Sequence, residues 1–237
     1  ILTHEHLTAK DWDQLRVICI DISRALGHMH SRSVIHGDVK ELNIMRVNGR
    51  HKLIDLDASV RADGNEFSGA KFSSAFIPPE LLAVVNNEVV VRTYHIDAAT
   101  GKAMIAGLPY ELVPASVKHD MWSLGVVFFH MFAGEPLFKS NDEDNIDREN
   151  LWRLYLWSDD FRNESISKIS DPLAKNLVAR LLMKDPNLRP DTARVLAHPF
   201  LSGKKAARLI GESASYDVFL SYRVASDSYV AELCTIS

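Results

Sequence analysis

Cysteine is nearly absent: Cys19 and Cys234 stand alone in 237 residues, without a CxxC or CxxH neighbour. That excludes a disulfide framework and a cysteine-based zinc site, and it fits a reducing, cytoplasmic setting. A basic surplus is missing as well. Lys and Arg number 27 against 31 Asp and Glu, a net charge of −4, so there is no excess cation to neutralise nucleic-acid phosphates or anionic lipid. The uncharged stretch 121–134 after Asp120 contains His130 and two glycines, and it falls short of the ~18 apolar residues that mark a membrane span. It reads as a buried core helix. No internal repeat or low-complexity tract is visible. The chain opens Ile1-Leu2-Thr3 with neither a basic start nor an apolar signal region, and reads as a segment of a longer protein.

What is present alternates between helical and hairpin patterns. Thr8 followed by Asp11 resembles a capping box, and Leu15, Ile18, Ile22, Ala25, Leu26 and Met29 recur at helical spacing, predicting an amphipathic helix over roughly 9–30. Two short apolar runs, 44–47 and 53–56, flank Asn48-Gly49, the turn pair that accepts positive φ at both positions, so a hairpin is expected. Residues 64–74 are rich in Gly and Ser and end at Pro78-Pro79-Glu80, the profile of a long loop. A second hairpin is expected between 89–94 and 102–105, around 97–101. Helices are predicted at 121–132, 150–157, 173–183, opened by Asp171-Pro172, and 192–197. Residues 203–215 mix Gly, Lys, Ala and Ser and read as a linker, and the β-branched and aromatic run 216–222 reads as a new strand.

Chemistry concentrates in two places that the first hairpin draws together. His36-Gly37-Asp38-Val39-Lys40-Glu41-Leu42-Asn43 precedes it and Asp55-Leu56-Asp57 follows it. Two carboxylates with a Lys and an Asn suit phosphoryl transfer: one Asp takes a hydroxyl proton, the other holds Mg²⁺ with the amide oxygen, and the Lys offsets charge on the phosphoryl oxygens. Simple capping carboxylates flanking a hairpin are the alternative. His4, His6, His28 and His30 could suggest a metal cluster, but the last two point to opposed faces of a helix, and local packing accounts for them better.

The order of these motifs resembles the C-terminal lobe of the eukaryotic protein kinase family. Ile77-Pro78-Pro79-Glu80, Asp120-Met121-Trp122-Ser123-Leu124-Gly125, Asp185-Pro186, Arg189-Pro190 and His198-Pro199-Phe200 follow in the family's order, and the resemblance spans about residues 1–201. It implies an α+β fold, mainly helical in this lobe, with ATP and Mg²⁺ as cofactors and a protein as substrate. By similarity Asp38 would be the catalytic base and Lys40 a contact to the transferred phosphoryl. Asn43 and Asp55 would hold metal and nucleotide, and Met45 would lie under adenine. Lys40, two residues after Asp38, resembles the Ser/Thr branch rather than the tyrosine branch, with Ser73 as the matching substrate-loop residue. His36, Glu80, Asp120 and Arg189 would be structural, Glu80 pairing with Arg189 and Asp120 bracing the catalytic loop.

Departures from the pattern matter equally. Gly37 replaces the Arg that in many kinases clasps a phosphorylated loop. Asp57 replaces a Gly, tolerating positive φ but adding negative charge near the phosphates. Residues 84–116 resemble an insertion, and the family's Gly-rich loop, strand Lys and partner Glu would lie upstream of Ile1. Tyr216-Asp217-Val218-Phe219-Leu220-Ser221-Tyr222-Arg223 is similar to the first strand and box of a TIR domain, with a helix expected from Asp227. The division expected is therefore 1–202 for the kinase lobe, 203–215 for the linker and 216–237 for the start of a flavodoxin-like α/β TIR domain, with TIR partners possible. The rival reading is a pseudokinase scaffold with TIR-mediated output.

Overall fold

The computed structural model describes residues 11–97, 99–100 and 103–203. The first helix, α1 (Trp12–His30), starts one residue after Asp11, whose carboxylate accepts the Gln14 N–H at 3.0 Å. Asp11 is therefore the cap itself, which corrects the expected start near residue 9; Thr8 lies outside the described residues. Leu15, Ile18, Ile22, Leu26 and Met29 form its fully buried stripe, each side chain contributing roughly 1.5–3 kcal/mol by leaving water.

That stripe packs against α2 (Val117–Ala133), the centre of the molecule. Ser116 caps α2 at its start and Gly134, at φ 74°, closes it in the left-handed conformation. Its middle is buried on all sides, from Met121 to Phe129, as the uncharged run requires. On its far side α5 (Pro172–Leu181) approaches so closely that a Cβ on Gly125 would stand 2.7 Å from the Leu181 Cβ. Only glycine permits that spacing. Around this pair lie α3 (Arg148–Tyr155), α4 (Asp159–Ile166), α6 (Thr192–Leu196) and α7 (Pro199–Ser202). The sequence reading left out α4 and α7. α4 is polar over most of its length, with Phe161 and Ile166 as its large apolar residues, and α7 is a single turn, so neither presents a periodic apolar face.

The strands form four antiparallel two-stranded ribbons among the described residues. β1 (Val34–Ile35) pairs with β4 (Val60–Arg61), and β2 (Ile44–Val47) pairs with β3 (Arg50–Leu53) across Asn48 and Gly49 at φ 51° and 78°. The second strand of this hairpin thus begins earlier than the apolar run suggested and stops before Asp55. It is tied to α1 by buried Asp21, which accepts the His51 N–H at 3.0 Å.

The second expected hairpin requires correction. β5 (Leu82–Val85) pairs with β6 (Glu88–Val91), while a separate short ribbon joins β7 (His95–Ile96) to β8 (Ala103–Met104). Asn86 and Asn87 at φ 49° and 62° make the β5–β6 turn, an Asn pair filling the two left-handed positions that Asn-Gly usually occupies. The linker expected over 203–215, beyond Gly203, and the TIR start expected over 216–237 lie outside the described residues.

Candidate active site

The segment from His36 to Asn43 is anchored at its start by one carboxylate. Asp120, on the first turn of α2, accepts the backbone N–H groups of His36 at 2.8 Å and Gly37 at 3.0 Å, and His30 Nε2 reaches it at 2.7 Å. Burial opposes the Asp120 charge, yet its bond to His30 and the neighbouring donors more than offset this and hold its carboxyl below the usual range. His36 is fully buried. Its Nδ1 accepts the Asp38 N–H at 3.3 Å, so Nε2 carries the proton and donates to the Ile54 carbonyl at 3.1 Å. That bond links the loop before the hairpin to the strand leading into Asp55.

Asp38 therefore projects from a doubly anchored backbone. Its Oδ2 accepts from Asn43 Nδ2 at 3.2 Å and lies 3.5 Å from Lys40 Nζ, while its Oδ1 is buried without a hydrogen-bond partner. Asn43 also donates to the Asp38 carbonyl at 2.8 Å. With its amide nitrogen committed to Asp38, its oxygen is the atom that can serve a cation. The Ile54 N–H bonds the Asn43 carbonyl at 2.9 Å, so Asp55 follows directly beside Asn43. Asp55 sits at φ 62°, a conformation costing about 1–3 kcal/mol and typical of functional positions. The positive φ falls at Asp55, not at Asp57 as its substitution for Gly suggested.

Lys40 donates to Ser73 Oγ at 2.8 Å and pairs with Asp144 at 3.0 Å. Burial acts against its charge, but Asp38 and Asp144 raise it above the ordinary lysine range. Asp144 was not anticipated. It is about a hundred residues away in sequence, and no local pattern marks it. The same holds for His30 as a partner of Asp120, since a helical His carries no sign of a contact 90 residues distant. Met45 is on β2 opposite Lys52 and is exposed in this chain.

Glu80 and Arg189 pair at 2.6 and 2.7 Å through both oxygens. Arg189 is fully buried and also donates to the carbonyls of Met183, Lys118 and Lys184. Gly37, at φ 81°, could carry no side chain here, because a Cβ would lie 2.3 Å from the Ala58 carbonyl oxygen. Asp57 is paired with Lys71 at 2.6 Å, so its added charge is largely offset locally. His28 bonds Arg32, and among the described residues no group of three metal-ligating side chains occurs; His4 and His6 lie outside them.

This arrangement of a braced loop, a carboxylate with one free buried oxygen and a Glu paired with a buried Arg points to the class: the chain belongs to the protein kinase family, whose domain it matches over residues 2–98 and 109–201. The unmatched stretch begins within the turn between β7 and β8. Among its relatives are the MAP kinase-interacting serine/threonine-protein kinase mnk-1 of Caenorhabditis elegans, 30% identical over 84% of this chain and 29% of that protein, and human MAP kinase-activated protein kinase 5, 27% identical over 87% and 41%. Human serine/threonine-protein kinase PAK 4 is 27% identical over 85% and 28%. The chain thus spans well under half the length of these relatives. The twitchin kinase region of C. elegans shares the fold, with a TM-score of 0.58 at 20% identity over 96% of this chain and 32% of that one. The family uses ATP with Mg²⁺. No helix among the described residues is long and apolar enough to cross a membrane.

Proposed function

We propose that the protein to which this chain belongs transfers the γ-phosphoryl group of ATP to Ser or Thr of protein substrates. The observation that carries this is the buried, unpartnered Oδ1 of Asp38 beside an Oδ2 already engaged by Asn43 and Lys40. One oxygen is fixed by the protein and the other is left to accept a proton. Asp38 would take the substrate hydroxyl proton as the oxygen attacks phosphorus, and Lys40 would spread its charge over the phosphoryl oxygens. Its bond to Ser73 places the acceptor-side loop within reach of the same ammonium.

Asn43 and Asp55 offer only oxygen donors, the set that suits a hard divalent cation, and Asn43 has its nitrogen turned away to Asp38. These two residues would hold Mg²⁺, which supplies charge neutralisation across the ATP phosphates. Met45 would contribute to the surface under adenine. Residues 216–237 we read as the opening of a TIR domain, on the run 216–223, which would give this cytoplasmic signalling protein a second interaction module.

Asp38→Asn and Asp55→Asn in the full-length protein test the assignment. Each is expected to lower phosphotransfer by at least about a hundredfold, with excess Mg²⁺ partly restoring Asp55→Asn alone. Wild-type turnover in both variants refutes it and leaves the scaffold reading.

A further inference from the structure

The loop between Asp55 and Glu80 contains no Thr or Tyr, and each of its serines is occupied. Ser59 donates to the His36 carbonyl, Ser68 shares a 2.7 Å bond with His119 Nδ1, Ser73 accepts from Lys40 and Ser74 accepts the Ile146 N–H at 2.9 Å. The last three are nearly fully buried. A phosphate on any of the three buried serines would displace the groups packed around it, Ser59 would lose the proton it donates, and position 37 has no side chain to receive a phosphate. Something else must order this loop.

The segment 82–115 does so from both sides. On one side the Tyr94 hydroxyl donates to the Phe67 carbonyl at 2.8 Å and the Thr93 hydroxyl donates to the Gly69 carbonyl at 2.7 Å. On the other, the Ser68 N–H bonds the Val113 carbonyl at 3.1 Å and the Ala115 N–H bonds the Glu66 carbonyl at 2.9 Å. Residues 66–69 therefore run between two later pieces of chain, joined to one by an isolated antiparallel bridge, Phe67 opposite Pro114, and to the other by side-chain hydroxyls. The contact is close enough that a Cβ on Gly69, at φ 108°, would stand 2.3 Å from the Arg92 carbonyl oxygen. The two flanks brace each other: Tyr110 Oη lies 3.2 Å from both the N–H and the carbonyl of Thr93, and Arg92 donates to the Glu111 carbonyl. Two residues beyond Gly69, Lys71 reaches Asp57, and Ser73 reaches Lys40.

We propose that Thr93 and Tyr94 are positioning residues for phosphotransfer: they hold 66–69 in place, and through it the Lys71–Asp57 and Ser73–Lys40 contacts, so that the loop is ordered without phosphorylation. The proposal rests on the kinase reading above for its effect on rate but not for its effect on the loop. A clamp made of chain is permanent where a phosphate is reversible, so the site's geometry does not wait for an upstream modification.

The test uses the full-length protein. Tyr94→Phe and Thr93→Val keep volume and remove one hydroxyl donor each. The double variant is expected to show faster hydrogen exchange at the amides of 66–77 and a loss of about tenfold or more in kcat/KM for a peptide substrate, with KM for ATP little changed. Thr93→Ser, which restores a hydroxyl, is expected to recover most of the loss from Thr93→Val. Phosphatase treatment of the wild type is expected to leave its rate intact. Unchanged exchange in the double variant, or a wild-type rate that phosphatase abolishes, overturns the proposal. Faster exchange in a protein that transfers no phosphate from the outset supports the clamp and refutes the kinase reading instead.

Discussion

Replacing Arg189 with Met removes a guanidinium that has no exposure at all and binds four groups at once: the Glu80 carboxylate and the carbonyls of Met183, Lys118 and Lys184. Removing one partner of a buried pair costs about 3–5 kcal/mol, because the group left behind loses its counter-charge in a dry site. Glu80 retains 18% side-chain exposure, so partial rehydration of its carboxylate limits that part of the loss. The three carbonyls have no such outlet. Arg189→Met should thus fall within that range, equivalent to roughly 6–20 °C in Tm for a domain of this size. Glu80→Gln leaves the guanidinium on its three carbonyls and keeps an amide oxygen as acceptor, so its cost is smaller, about 1–3 kcal/mol. Thermal unfolding followed by tryptophan fluorescence is a direct assay, since the guanidinium lies 5.1 Å over the Trp122 ring. If Arg189→Met costs less than about 1 kcal/mol, or Glu80→Gln costs more than it does, the argument from buried carbonyls is wrong.

Asp120→Asn should leave one of the His36 and Gly37 N–H groups without an acceptor and lower kcat more than it raises KM for ATP, measurable by steady-state kinetics. Because the Asp120 carboxyl is held below the usual range, its contribution to stability is full above the unfolded value near pH ~4 and is lost only as pH falls through the lower folded value; Asp120→Asn removes that acid limb. His119 is shifted down by burial, with Glu80 opposing and Arg189 assisting. Its contribution is therefore full above about pH 6.5 and declines as pH falls toward the lower folded value; His119→Asn should flatten the slope of stability with pH below about 6.5. Gly37→Ala should destabilise by about 2 kcal/mol or more through the Ala58 contact and its positive φ, seen as a lower denaturation midpoint in urea.

Much of the site was legible because its parts are local. Asp38, Lys40 and Asn43 sit within one loop, and Asn48-Gly49 announces the turn that returns the chain to Asp55. The core face of α1 and the burial of α2 followed from periodicity and from the lack of charge. Contacts that bridge distant segments were not legible. Asp144 reaches Lys40 from a loop whose composition reads as ordinary acidic surface, and His30 reaches Asp120 from the end of a helix. The pairing of β6 with β5 was missed for a different reason: two adjacent asparagines can supply the left-handed turn that Asn-Gly usually marks, at φ 49° and 62°.

The placement of 66–69 between two later pieces of chain has a consequence for synthesis. Its flanks, 92–94 and 113–115, do not exist when it leaves the ribosome. At about 5–20 residues per second, the stretch from 69 to 115 takes roughly 2–9 s to emerge; Tyr94 and Thr93 are available to the Phe67 and Gly69 carbonyls about halfway through, while the Glu66 carbonyl and the Ser68 N–H wait for 113–115. The loop that carries Ser73 to Lys40 therefore has all of its partners only once residue 115 is out, whereas α1 and the β2–β3 hairpin, joined through Asp21 and His51, are complete by residue 53.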